Sequence, residues 1–164
     1  HSFPTRRSSD CKQTPYYPVI SCFIKRKNIL QRKSVLQNIH IAERFGISRQ
    51  AVSKALITMD RKVEETLIAM AQANQIDVER LNAERGVLFG RSVPFDAGAI
   101  VFVSADHGVQ VWYEHEGDCG ACPRYAQCIE LLWGYADEMG IALEKTDDPT
   151  RLADELFAKL REMV

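Results

Sequence analysis

Gly46 sits at the one place in this chain where two helical patterns meet with almost no residues to spare, and that junction limits what the N-terminal part can fold into. In the run VLQNIHIAERFGISRQAVSKAL, residues 35–56, the first pattern carries apolar residues at Leu36, Ile39, Ile41 and Ala42. Gly46 supplies the permissive backbone that a sharp inter-helix turn needs, and Ile47 is placed to plug the angle between the helices. Ser48 is a natural N-cap for a second helix, because its side-chain oxygen can accept from a free amide of the first turn. Val52 and Leu56, four apart, give that helix one inward face, and Arg49, Gln50, Ser53 and Lys54 fall on its outward face. Those polar side chains are of the kind that bond base edges and phosphates.

Small Ala42, Gly46 four residues on, Val52 six beyond that, and the run GISRQAVSKAL are similar to the helix-turn-helix of prokaryotic transcriptional regulators. The resemblance covers roughly twenty residues. It implies double-stranded DNA as partner, with Ser48, Arg49, Gln50, Ser53 and Lys54 presented to the major groove from the N-terminal part of the second helix.

Charge divides the chain in the same sense. Residues 1–58 hold 11 Lys/Arg against 2 Asp/Glu, whereas residues 59–164 hold 10 against 20. The basic half suits a polyanion, and the acidic half is expected to face away from it. A hydrophobic content of 46% over 164 residues is enough for one or two small domains with real cores. The longest apolar runs, such as 97–103, are far short of the roughly 20 residues that a bilayer helix requires, so no membrane span is expected. The leader, residues 1–26, shows no helical or strand period over its first stretch, and HSFPTRRSSD resembles translated sequencing-adapter read-through. It is read as artefactual or disordered, and its Cys11 and Cys22 are given no chemistry. Residues 27–75 then form the helix-turn-helix domain with a linker helix, and residues 76–164 an α+β regulatory or dimerisation domain.

After the second helix, ITMDRKVEETLIAMAQANQ continues the helical period, with Met59, Val63, Leu67 and Met70 on one stripe. Two partners fit that stripe: the same helix of a second copy, giving a homodimer, or the chain's own C-terminal domain. From Ile76 the period becomes that of strands. VERLNAERGVLFGRS, AGAIVFVS and GVQVWYEH read as β segments, broken at Pro94, at Asp96-Ala97-Gly98 and at Ala105-Asp106-His107-Gly108. The last two segments make the clearest hairpin, and His107 in its turn is read as solvated.

The strongest chemical signal is HEGDCGACPRYAQC. It puts Cys119, Cys122 and Cys128 at C-x2-C-x5-C spacing, with His115 four residues upstream of the first. A two-residue gap lets one tight knuckle aim two thiolates at a single ion, and His115 could complete a tetrahedral Cys3His zinc site. An iron–sulfur cluster on the same thiolates, and no metal at all, including a redox pair of Cys119 and Cys122, stay open beside zinc. A structural disulfide is not expected, because DNA binding implies a reducing cytoplasm.

Two helices close the chain: one from Cys128 to Met139 ending at Gly140, and one that Asp148 caps and Pro149 opens, running to Arg161 or beyond. Leu152, Leu156, Phe157 and Leu160 form its apolar stripe, and Trp112, Trp133 and Tyr135 are expected in the core or at a domain interface. The expected fold is therefore α+β: an N-terminal helix-turn-helix domain, a linker helix, and a small C-terminal β-hairpin/α domain with a cysteine-rich metal site. The pairing of the reading motif with GVQVWYEHEGDCGACPRYAQC resembles small archaeal helix-turn-helix regulators carrying a C-terminal cysteine cluster. That resemblance implies a non-enzymatic, cytoplasmic, DNA-binding regulator. The alternative is a metal-dependent nucleic-acid processing enzyme docked by a helix-turn-helix. It is disfavoured because a catalytic metal wants an open coordination position and a paired acid or base, and neither a phosphate loop nor a nucleophile elbow is present.

Overall fold

The computed structural model describes residues 36–164, with side chains from residue 38 onward. Residues 1–35, among them the leader at residues 1–26 with Cys11 and Cys22, lie outside the described residues. Among the described residues there are four α-helices and one four-stranded antiparallel sheet: α1 (Leu36–Phe45), α2 (Arg49–Ala73), β1 (Ile76–Asn82), β2 (Val87–Ser92), β3 (Ala97–Ser104), β4 (Gly108–Tyr113), α3 (Tyr125–Met139) and α4 (Pro149–Glu162). A 3-10 turn, Cys119–Ala121, precedes α3.

The sheet is a meander in the order β1-β2-β3-β4. Alternation along the strands feeds two cores. Val87, Phe89, Ile100, Phe102 and Trp112 point to one face and pack with Leu132, Tyr135, Leu152, Leu156 and Leu160 from α3 and α4. Leu88, Ala99, Val101 and Val103 point to the other face and pack with Met59, Val63, Leu67 and Ala71 from α2. Because helices cover both faces, β3 is apolar at successive positions instead of every second one. The hairpin expected for the C-terminal domain is thus half of a larger sheet.

The run expected as one segment, VERLNAERGVLFGRS, is two strands. The N–H of Arg85 donates to Asn82 Oδ1 at 2.9 Å, and Gly86 takes φ +64, which together turn β1 into β2. The break expected at Asp96-Ala97-Gly98 lies earlier: Asp96 is left-handed at φ +49, and Ala97 and Gly98 already belong to β3. In β1, Val78 pairs with Gly90 but Arg80 with Phe89, a bulge at Glu79 that brings backbone against Gly90. A Cβ on Gly90 would stand 2.3 Å from the Asp77 carbonyl oxygen, so glycine is needed for this close approach.

The closing helices begin and end on local chemistry. Asp148 accepts from the Thr150 amide at 2.9 Å with Pro149 in the first turn, and Gly140 ends α3 in the left-handed conformation at φ 66. Helix α3 starts one turn before the expected Cys128, at Tyr125. Its far end is tied to the sheet: the Glu138 carboxylate accepts from Ser104 Oγ (2.8 Å) and from the amides of Ala105 (2.7 Å) and Asp106 (3.2 Å) at the β3–β4 turn.

Candidate nucleic-acid interface and cysteine turn

Helix α1 ends where Gly46, at φ +63, lets the chain reverse. The Gly46 amide donates to Glu43 O (3.3 Å) and the Ile47 amide to Ala42 O (3.0 Å), the paired bonds by which a glycine terminates a helix and leaves few orphan carbonyls. Ser48 Oγ then accepts from the Ala51 amide at 3.1 Å and starts α2. Ala42 and Val52 are buried, at 6% and 3% exposure, and α1 contacts α2. Ile47, expected to plug the angle, is instead 46% exposed, and the turn is closed by backbone bonds.

Ser48, Arg49, Gln50, Ser53 and Lys54 are all exposed. The Ser48 oxygen is spent as an acceptor on the cap, leaving its O–H to donate outward. Counting 100° per residue, Gln50 and Lys54 lie opposite Val52, and Ile57 shares their side at 71% exposure.

The linker is not a separate element. Val52, Leu56, Met59, Val63, Leu67 and Ala71 follow one another at spacings of four, three, four, four and four along a single 25-residue helix. Of the two partners open to the stripe Met59, Val63, Leu67 and Met70, the chain's own sheet covers it: Val63 is 4% exposed, Leu67 is fully buried, Ala71 joins the buried set, and Met70 packs partly buried beside it.

The cysteines lie on the connection from β4 to α3. Asp118 accepts from the Gly120 amide at 3.0 Å and shapes the 3-10 turn, and the Cys122 amide donates to Cys119 O at 3.1 Å, so a tight backbone turn joins the two cysteines. All three cysteines are free thiols, Cys122 being the exposed one. Cys119 Sγ is engaged by Thr150 Oγ1 of α4 at 3.2 Å, a partner 31 residues away that no local spacing could have revealed. Cys122 and Cys128 share a cavity of about 520 Å³ with His115, Trp112 and Arg124. Partial burial pushes the Cys128 thiol above its usual range, helped by the neighbouring Cys122 and Cys119 and opposed by Arg124. His115 donates from Nδ1 to Tyr113 O at 2.8 Å and packs near the Trp112 ring, 5.7 Å between centroids. Among the described residues, no group of three His, Cys, Asp or Glu side chains is arranged to hold a metal ion.

Other polar pairs were equally invisible in the sequence. Arg161 bonds Glu114 at 2.7 Å, and the Glu114 carboxylate lies across Gly98, where a Cβ would meet it at 2.1 Å. Arg91 bonds Asp96 at 2.7 Å. Among the described residues no helix is long and apolar enough to cross a membrane. Comparison with protein-family models, with curated proteins and with solved structures finds no match to this chain.

Proposed function

We propose that this chain is a sequence-specific DNA-binding transcriptional regulator that reads the major groove with the N-terminal turns of α2. The observation that carries the reading is the junction itself: a glycine-terminated helix, a serine-capped second helix, and Gln50 and Lys54 opposite the buried Val52, so that the polar face is free while the other is anchored. Arg49 and Gln50 supply bidentate donors and acceptors for base edges, Ser53 and Lys54 reach phosphates, and Ile57 offers an apolar contact for a thymine methyl. In a selection from random duplexes, the wild type should yield a defined site. Arg49→Ala or Gln50→Ala should relax preference at one position by about 1–3 kcal/mol, while Lys54→Ala should weaken all sequences alike. Equal binding of the selected site by wild type and the Arg49/Gln50 double alanine variant would sink the reading.

The cysteine turn is the responsive element of this regulator. A closed four-ligand site on His115, Cys119, Cys122 and Cys128 requires the thiols and the imidazole to converge, since among the described residues they are not arranged to hold a metal ion, while the Thr150 hydroxyl can go on donating to a Cys119 thiolate. Zinc or an iron–sulfur cluster therefore enters this reading only with that rearrangement. Without it, the thiols act as a metal-free redox element. Metal analysis and an absorption spectrum of anaerobically purified protein, repeated on Cys122→Ser, separate these readings: a visible charge-transfer band marks iron, bound zinc without colour marks the tetrahedral site, and neither leaves thiol chemistry alone.

A further inference from the structure

The two edges of the sheet are built differently. β1 is protected: it carries Asp77, Glu79 and Arg80, and a bulge breaks its register. β4 reads GVQVWY, with no charge and no proline, and keeps unbroken register with β3. Its hydrogen-bond phase follows from one distance. The Glu114 amide donates to Gly98 O at 2.8 Å, so Gly98 and Glu114 are a bonded pair. Alternation then makes Ile100/Trp112 and Phe102/Gln110 bonded, and Ala99/Tyr113, Val101/Val111 and Val103/Val109 non-bonded. The amides and carbonyls of Val109, Val111 and Tyr113 therefore point away from the sheet, and among the described residues the one bond assigned to them is from His115 to Tyr113 O.

We infer that the outer edge of β4 pairs antiparallel with the β4 edge of a second copy of this chain, about a two-fold axis at Val111. In that register Val111 exchanges both bonds with Val111 of the second copy, and Val109 faces Tyr113. The charges beside the edge select a second copy over an unrelated strand. Arg124, the residue that precedes α3, and Gln127 and Glu130 within it line the cavity next to β4, exposed and three residues apart. Gln127 lines the same cavity as Val111, so in this dimer a single two-fold axis passes by both and sets Arg124 of each copy opposite Glu130 of the other, making the surface complementary to itself. The α2 stripe is filled by the sheet and cannot serve this purpose. The inference rests on the regulator reading only for its use, since a dimer supplies two reading helices. It is measured without DNA.

Sedimentation of the full chain under reducing conditions should show twice the chain mass at micromolar concentration. Arg124→Glu and Glu130→Arg should each weaken association about tenfold, and the double exchange should restore it. Val111→Pro removes an outward amide at an edge position where proline is tolerated, and should give a folded monomer with a native circular dichroism spectrum. A wild type that stays monomeric at high micromolar concentration, a double exchange as weak as either single variant, or a folded Val111→Pro dimer of unchanged affinity would each overturn the inference. Should Val111→Pro not fold, the charge exchange decides alone. A monomer that still selects a DNA site would leave the regulator reading intact.

Discussion

Removing a hydroxyl from the centre of the core should make this protein more stable. Tyr135 is fully buried on α3, its ring centroid 4.3 Å from that of Phe102, and among the described residues its Oη has no hydrogen-bond partner. A buried hydroxyl without a partner costs about 1–3 kcal/mol relative to the unfolded chain, where water satisfies it, whereas the ring contact does not depend on the oxygen. Tyr135→Phe keeps the ring and removes the unpaired group. The expected gain is about 1 kcal/mol, which for a chain of this size raises Tm by about 2–4 °C. Urea unfolding of both proteins measures it, and an unchanged m-value shows that the gain lies in the native state. Alkali supplies an independent check. Burial, reinforced by Glu138 and only partly offset by Arg85, raises the Tyr135 phenol well above its ordinary value near 10. The folded state therefore holds a proton that the unfolded state releases. Its contribution to stability is intact below pH 10 and declines as pH rises above it. Wild type should lose stability in alkali more steeply than Tyr135→Phe, with the phenolate of Tyr135 emerging only as the chain unfolds. A loss of 1 kcal/mol or more in Tyr135→Phe at neutral pH would show that the hydroxyl is paired and would refute the reasoning.

Two further substitutions test how the sheet is held. Gly90→Ala should destabilise by about 1–3 kcal/mol in urea unfolding, because its methyl group collides with the Asp77 carbonyl across the bulge and backbone cannot yield as a side chain can; a neutral result would show that β1 shifts freely. Glu138→Ala removes the acceptor shared by Ser104, Ala105 and Asp106 and should cost about 1–3 kcal/mol, with faster amide exchange at the β3–β4 turn; unchanged exchange there would show that the turn stands without its helix.

Features legible in the sequence were those whose cause is local. Gly46 and Ser48 specify the α1–α2 junction from within a few residues, as Asp148 with Pro149 and Gly140 specify the ends of the closing helices. The β3–β4 hairpin likewise lies between close neighbours. Features decided by distant partners were not legible. Nothing near Met59–Ala71 says whether a second copy or the chain's own sheet will cover the stripe, and nothing near Cys119 announces Thr150. Alternation in β3 separates Val101 and Val103 from Phe102, but because both faces are buried it does not say which helices each set will meet. The tight turn from Cys119 to Cys122 has a local cause in Asp118, but convergence of four ligands depends on where distant residues hold Cys119 and His115.

Since α2 runs unbroken from the serine cap to Ala73, the exposed face of its first turns and the packed face of its last turns are locked in phase, like marks at two ends of one shaft. Each residue inserted near Asp60 would advance the far end by about 1.5 Å and rotate it by about 100°. One extra residue would therefore swing Gln50 and Lys54 a quarter-turn out of alignment with the sheet, while four would bring them nearly back, displaced by about 6 Å. A rotation of the C-terminal half of this helix on the sheet would carry its first turn with it.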